Sequence, residues 1–147
     1  MVKIGLAAIM IVFCGFTGVA AAESTHVAII KNISGSIEVI RHGKKLPAKP
    51  GMQLNRMDKI SSTAKSQAGI VFIDGTLITV GSSTVVEIRK YLFEPRKAKY
   101  GFSFYVNKGA AIYSSGKLGK LAPETVNLET PRATVGIRGT RFIVKVD

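Results

Sequence analysis

The alternation of apolar and polar residues most constrains this chain, because it has period two and is interrupted by turn residues roughly every 8 to 12 positions. The clearest unit is residues 68–80, in which two β-rich runs flank Asp74-Gly75. An Asp-Gly pair between such runs favours a tight hairpin, and a type I′ turn needs positive φ at both central positions. The sequence therefore predicts a β-hairpin with a type I′ turn at this pair.

The same pattern predicts further strands between turn residues. They cover residues 27–30, 36–41, 58–61, 84–88, 100–106, 110–114, 125–129 and 141–146. A turn signal at residues 107–109 separates two of them, and no helical pattern of about 12 or more residues intervenes. This spacing predicts an all-β fold, as a sandwich, a barrel or a short solenoid. Residues 89–99 are the least regular and are predicted to form an exposed loop or a long edge excursion.

Residues 1–22 have the pattern of a secretory signal peptide. Lys3 supplies the positive charge, an apolar run follows, and small residues precede the junction of Ala22 and Glu23. The apolar run is shorter than the roughly 20 residues of a membrane span. We therefore predict cleavage between Ala22 and Glu23, which leaves residues 23–147 as one domain in the periplasm or outside the cell.

Cys14 is the only cysteine of the chain and lies within this leader. The bulky Phe13 stands where a lipoprotein acceptor site needs a small residue, which disfavours lipidation at Cys14. An uncleaved N-terminal anchor is the remaining alternative to a cleaved signal. Without the leader no cysteine remains, which excludes disulfides, cysteine-ligated zinc and a thiol nucleophile.

The formal net charge of +12 makes acidic partners a reasonable expectation. Outside the cytoplasm these are acidic lipids, polysaccharides, cell-wall polymers and acidic protein faces, whereas nucleic acid would be unusual there. The candidate binding surface comprises Arg89, Lys90, Tyr91, Phe93, Arg96, Lys97 and Lys99. Cations interleaved with rings hold sugars and phosphates. The same alternation also describes an ordinary strand with one buried face, and both interpretations stay open.

Catalysis has little support in the sequence. His26 and His42 have no patterned carboxylate beside them, and no nucleophile elbow, phosphate loop or zinc-protease motif occurs. Asp74 alone does not make a calcium site and is predicted to form an Asx turn. We therefore expect a protein that is not an enzyme and needs neither metal nor cofactor.

Several motifs, taken in order, resemble the FecR domain. They are Gly35 before a strand, Gly51-Met52-Gln53-Leu54, Asp58 to Thr63, Asp74-Gly75-Thr76, Gly81-Ser82, Gly109-Ala110-Ala111, and a closing run containing Thr130, Pro131, Arg138, Gly139, Thr140 and Phe142. The resemblance implies a periplasmic sensor and signalling module without enzymatic activity. It also implies short antiparallel strands in a twisted β-solenoid or sandwich-like stack.

Arg138 in the closing run has two interpretations. Between Gly136 and Gly139, its guanidinium could donate to turn carbonyls and lock the terminal strand, or it could bind a carboxylate of a partner. Pro131 removes a ladder donor and holds Thr130 in an extended conformation, so we predict that a strand ends or bends there.

The resemblance is to the periplasmic domain of FecR signal transducers. In those proteins a cytoplasmic anti-sigma segment and one transmembrane helix precede this domain. We therefore expect a stand-alone module that contacts another envelope protein. The alternative is a protein that binds a polyanionic glycan or acidic lipid through residues 89–99.

Overall fold

A computed structural model describes residues 26–147, and the predicted signal peptide lies outside this range. The strands are β1 His26–Ser34, β2 Ile37–Arg41, β3 Lys44–Pro47, β4 Gln53–Asn55, β5 Lys59–Ser62, β6 Gln67–Phe72, β7 Leu77–Val80, β8 Val85–Glu94, β9 Lys99–Ser114, β10 Val126–Glu129, β11 Thr134–Gly136 and β12 Arg141–Val146. One short helix, α1 Lys117–Leu121, and 3₁₀ turns at Pro95–Lys97 and Pro123–Thr125 complete the secondary structure of residues 26–147. The predicted all-β class with mostly antiparallel pairing is confirmed, in the form of a curled half-barrel.

The long strand β9 organises the sheet. On one side it pairs antiparallel with β8 along its first half and with β7 along its second half. On its other side the first half pairs in parallel with β10, and the second half pairs antiparallel with β12. Beyond β8 the sheet continues with β5, β2 and β3 in that order. Beyond β7 it continues with β6, β1 and β4. Both halves of the half-barrel therefore share one strand.

The predicted turn at residues 107–109 is wrong, because β9 runs through it without reversing. Gly109 has φ 90° and bends the strand where its pairing passes from β8 to β7. A Cβ here would stand 2.6 Å from Thr84 Cα. A glycine is therefore needed for the bend and for the close approach of Thr84.

The predicted hairpin of residues 68–80 is confirmed by the antiparallel pairing of β6 with β7. Its type I′ turn is wrong, because Gly75 has positive φ and Asp74 does not. Two bonds close the hairpin, Phe72 N–H to Thr76 O (2.8 Å) and Gly75 N–H to Phe72 O (2.9 Å). The bond from Gly75 closes a four-residue turn over residues 72–75, and the Asp74 side chain within it points into the protein.

Of the two alternatives for residues 89–99, the exposed loop is wrong, because these residues form the end of a long hairpin of β8 and β9. Strand β8 continues to Glu94, and the 3₁₀ turn at Pro95–Lys97 leads into β9. The register shifts between Ile88 and Lys90, so Arg89 is the extra residue of a β-bulge. Buried positions therefore change phase, from Val86 and Ile88 before the bulge to Tyr91 after it. This change of phase explains why the alternation looks broken in the sequence.

The hydrophobic core fills the inside of the curl. Its aromatic centre is Phe72, Tyr91, Phe102, Phe104 and Tyr113. The Phe72 ring lies 5.1 Å from Tyr91 in a stacked arrangement and 5.0 Å from Phe102 edge to face. Such offset and edge-on contacts are the favoured geometries of aromatic pairs. These rings come from β6, β8 and β9, so they tie the two halves of the sheet together.

Candidate functional site

The carboxylate of Asp74 is the centre of a buried polar network. Its side chain accepts hydrogen bonds from the hydroxyl of Tyr91 (2.7 Å), the hydroxyl of Thr76 (2.6 Å) and the backbone N–H groups of Thr76 (3.2 Å) and Leu118 (3.0 Å). The bond from Thr76 N–H confirms the predicted Asx turn. With four donors supplied by the protein, this buried carboxylate is satisfied without a cation.

This network joins three distant segments. Tyr91 comes from β8, while Leu118 and the Lys117 N–H, which donates to Asp74 O at 2.9 Å, begin α1. Burial, followed by the hydrogen bond to Asp74, raises the pKa of the Tyr91 phenol far above its ordinary value. The phenol therefore stays protonated and remains a donor. Asp74, one of the predicted signature residues, therefore joins the β6–β7 turn to β8 and α1.

Thr130 and Pro131 begin the closing segment, which we define as residues 130–146. Strand β10 ends at Glu129, and residues 130–133 turn the chain into β11. The N–H of Thr130 donates to Ala133 O (2.8 Å), and its hydroxyl oxygen accepts the N–H of Ala133 (3.1 Å). The predicted strand end before Pro131 is therefore observed.

The predicted lock by Arg138 is wrong. Its side chain is exposed and makes no hydrogen bond or ion pair to any residue in the range 26–147. The backbone holds this part of the chain instead, through Ile137 N–H to Val126 O (3.2 Å) and Ser115 N–H to Thr140 O (2.8 Å). Ile137 is buried in the core as the chain crosses from β11 to β12.

An arginine lock exists elsewhere, between Arg41 on β2 and Asp58. The guanidinium donates from Nε (2.9 Å) and Nη2 (2.6 Å) to the two carboxylate oxygens, in a bidentate geometry. The same group reaches Gln53 O at 2.9 Å, and Asn55 N–H donates to the carboxylate at 2.8 Å. The hydrogen bond to Asp58 raises the pKa of Arg41. This ion pair fixes β2 to the β4–β5 connection.

A groove of about 510 Å³ separates the β10–β11 hairpin from β12. Its apolar walls are formed by Leu128, Val135 and Ile137 on one side and by Phe142 and Val144 on the other. It is also lined by four of the predicted signature residues, Thr130, Arg138, Gly139 and Phe142. The Phe142 ring stacks on Tyr113 with centroids 4.9 Å apart, which supports the inner wall. The closing segment therefore shapes a surface groove as well as closing the sheet.

Both strands at this groove present an unpaired edge within the described range. Strand β11 pairs with β10 and with no other strand, and β12 pairs with β9 and with no other strand. Val135 of β11 and Ile143 of β12 are 50% and 69% exposed, which is unusual for large apolar side chains on strands. Unpaired edges of this kind can accept an additional strand.

The predicted surface of residues 89–99 divides into buried and exposed parts. Tyr91 lies in the core and cannot contact a ligand, so its assignment to the surface is wrong. Phe93 is half-buried beside Tyr100, with ring centroids 6.0 Å apart. The cations Lys90, Arg96, Lys97 and Lys99 are exposed along the hairpin. The interpretation as a strand with one buried face therefore describes this region, with its cations in solvent.

Arg89 is engaged in an ion pair. Its Nη1 donates to Glu129 Oε2 at 2.7 Å, and its guanidinium lies 3.7 Å above the Tyr105 ring. Glu129 also accepts a short hydrogen bond from the Ser103 hydroxyl. The bonds from Ser103 and Arg89 lower the pKa of Glu129, while that of Arg89 is raised chiefly by Glu129. This cation is thus less available to a polyanion than its position in the sequence indicated.

The sequence did not predict the roles of four residues. They are Arg41 and Tyr91, which bind buried carboxylates, and Val135 and Ile143, which are exposed beside the groove. Arg41 and Tyr91 act through contacts at sequence separations of 17 residues, which no local pattern reveals. Val135 and Ile143 are apolar residues within the closing segment, and only the fold shows that their side chains are exposed.

No set of three or more histidine, cysteine, aspartate or glutamate side chains within residues 26–147 is arranged to hold a metal ion. His26 begins β1, and His42 lies in the turn between β2 and β3. Among the described residues, no helix has the length and apolar character needed to cross a membrane.

Comparison with protein-family models matches residues 58–147 to the family described as FecR protein. The match begins at Asp58 of the Arg41 ion pair and includes the Asp74 network and the whole closing segment. No curated protein matches this chain significantly, and neither does any solved structure. Since the matched segment is more than half of the chain, the protein belongs to the FecR family.

Proposed function

We propose that this FecR-family protein is a non-enzymatic module of the cell envelope that binds another envelope protein and relays a signal by that contact. The observation that carries the proposal is the groove of the closing segment, where the open edges of β11 and β12 flank exposed Val135 and Ile143. A partner strand added to either edge would gain main-chain hydrogen bonds, and the apolar walls would receive its side chains.

The pattern of residues 1–22 supports a location in the periplasm or outside the cell. We propose that a signal peptidase removes this leader between Ala22 and Glu23. Mass spectrometry of the protein isolated from fractionated cells tests this proposal. A mature chain beginning at Glu23 in the periplasmic or secreted fraction supports it, and an intact N-terminus in the cytoplasm contradicts it.

The docking proposal is tested by capture of partners from envelope extract with a matched pair of variants. Ile143→Pro removes both the N–H and the apolar side chain of an edge residue, whereas Ile143→Thr keeps the N–H and removes most of the apolar surface. If strand addition holds the partner, the proline variant loses capture and the threonine variant retains part of it. Equal capture by the wild type and both variants, all with unchanged thermal unfolding, would exclude the β12 edge.

Binding of a polyanionic glycan or acidic lipid by residues 89–99 is the second candidate. One observation favours it: Lys90, Arg96, Lys97 and Lys99 are exposed on the same hairpin. Salt separates the two proposals, because polyanion binding weakens steeply between low and physiological ionic strength, whereas main-chain hydrogen bonds do not. Capture that disappears with salt, and with Lys97→Glu and Lys99→Glu, would favour the polyanion.

A further inference from the structure

We propose that the β12 edge selects a partner strand with the pattern acidic–x–apolar–x–acidic, in which the side chains of the x residues lie on the opposite face of the strand, on the side of Phe142 and Val144. This inference rests on the proposed docking function and specifies the chemistry of the partner. It is carried by the register of β12 on β9, by the charges of Arg141 and Lys145, and by the exposure of Ile143.

The register determines which residues of β12 face outward. The N–H of Ser115 donates to Thr140 O, and this pair is followed in register by Arg141 opposite Ser114. In an antiparallel ladder, hydrogen-bonded and non-hydrogen-bonded pairs alternate. The main-chain groups of Phe142, Val144 and Val146 therefore bond to β9. Those of residues 141, 143 and 145 point to the open edge.

The side chains of these same three residues are exposed on one face of the strand. In order they are a cation, an apolar residue and a cation: Arg141, Ile143 and Lys145. Neither Arg141 nor Lys145 makes an ion pair with any residue in the described range, and no acidic residue lines the groove. Asp147 is the acidic residue of the adjoining depression, beyond the end of β12.

A strand added to this edge would place one side chain opposite each of the three. Directly opposed residues are the strongest cross-strand pairs, with opposite charges and apolar pairs favoured and like charges disfavoured. Two carboxylates separated by a central apolar residue therefore complement Arg141, Ile143 and Lys145. Because cation–apolar–cation reads the same in both directions, a parallel or an antiparallel partner needs the same pattern.

A second copy of this chain fits the edge poorly. Antiparallel self-pairing centred on Ile143 would place Arg141 opposite Lys145, which sets like charges against each other. The net charge of +12 opposes such an approach further. The geometry therefore points to a different, acidic protein as the partner.

The test uses the full chain, purified in the form the expressing cell produces, and three fluorescent peptides of the same length. One peptide has the pattern Glu-Thr-Val-Thr-Glu, one has Lys-Thr-Val-Thr-Lys, and one has the first composition with its two glutamates adjacent. We expect the first to bind at least about tenfold more tightly than the lysine peptide, since two favourable pairs replace two repulsive ones. The peptide with adjacent glutamates should bind more weakly than the first because only one carboxylate can face a cation.

Charge reversal provides the decisive control. The double variant Arg141→Glu with Lys145→Glu should invert the preference, so that it binds the lysine peptide more tightly than the glutamate peptide. The double variant Lys97→Glu with Lys99→Glu has the same change of net charge at the β8–β9 hairpin, and it should keep the wild-type preference. Thermal unfolding of both variants confirms that they fold.

The outcomes separate this inference from the docking proposal. If peptides of both charges bind equally and shift the backbone amide resonances of β12, the edge docks strands but the acidic pattern is wrong. If no peptide binds at any salt concentration, both the edge and the pattern are overturned. The inference is also overturned if binding depends only on total charge and a sulphated glycan displaces the peptides equally well from both double variants. The protein would then be a binder of polyanions.

Discussion

The turn at Asp74 and the closing segment contain most of the predicted signature residues, but their polar side chains differ in whether they have hydrogen-bond partners. Asp74 is buried and has four donors around its carboxylate, so nothing remains for a ligand. Arg138 is exposed and makes no side-chain bond to the described residues, and the strands beside it have open edges. A residue's place in a predicted family motif therefore does not say whether it supports the fold or is free to contact a partner. The hydrogen bonds that its side chain makes within the protein separate these two cases.

The largest effect should come from Asp74→Ala, which would break the buried network. The Tyr91 hydroxyl, the Thr76 hydroxyl and the Leu118 N–H would lose their acceptor in the core. We expect a loss of about 3–5 kcal/mol in the free energy of unfolding, measured by urea denaturation. Asp147→Ala, at an exposed carboxylate, should change it by less than about 0.5 kcal/mol. Similar midpoints for the two variants would show that the network does not stabilise the fold.

Two arginines offer a matched pair for the next effect. Arg41→Ala would leave Asp58, whose side chain is 2% exposed, without its cation. Because Arg41 itself is partly exposed, we expect a loss of about 2–3 kcal/mol rather than the full value for a buried pair. Arg138→Ala should change the free energy of unfolding by less than about 0.5 kcal/mol. Chemical denaturation of both variants decides which arginine locks the fold, and a larger loss for Arg138→Ala would restore the original prediction.

Local patterns were sufficient for the strands that obey one alternation. Residues 141–146 were predicted as a strand with the bounds that β12 has, because nothing interrupts their period. The hairpin of β6 and β7 was predicted from Asp74-Gly75, although its turn type was not, since the Asp74 carboxylate turns inward to meet Tyr91. That contact depends on the packing of β8 and cannot be read from residues 68–80.

The errors occurred where a strand changes its neighbours or its phase. The sequence Asn107-Lys108-Gly109 is typical of a turn, but in the structure the positive φ of Gly109 bends β9 without reversing it. The bend lies where the pairing of β9 passes from β8 to β7 along the same side of the strand. The bulge at Arg89 shifts the buried positions by one residue, which made residues 89–99 look irregular. The groove itself could not be predicted, since it arises only when β11 and β12 approach across the curl.

Two glycines sharpen the comparison of the network with the closing segment. A Cβ at Gly116 would lie 2.6 Å from Gly75 C and 2.7 Å from Asp74 O, both backbone atoms of the turn. Gly116→Ala should therefore cost about 1–3 kcal/mol in thermal or urea unfolding. Gly136→Ala, in β11, meets no atom within 4 Å and should be neutral or slightly stabilising. Equal losses at both sites would mean that the turn at Asp74 adapts more easily than its contacts indicate.

The smallest effect tests the ion pair that joins Glu129 of β10 to Arg89 of β8. Ser103 and Arg89 lower the pKa of Glu129 from 4.5, so the folded state favours the carboxylate. This stabilisation is fully present above pH 4.5 and is lost as the pH falls through the lowered value of the folded state. Glu129→Gln should cost about 0.5–1 kcal/mol at pH 7, and the gap to the wild type should narrow below pH 4.5. When Arg89 is replaced by Gln, Glu129→Gln should cost less at pH 7, because only the hydrogen bond from Ser103 still favours the carboxylate. If the difference in the free energy of unfolding between the wild type and Glu129→Gln grew as the pH fell, the prediction would be wrong. Protonation of Glu129 would then stabilise the folded state.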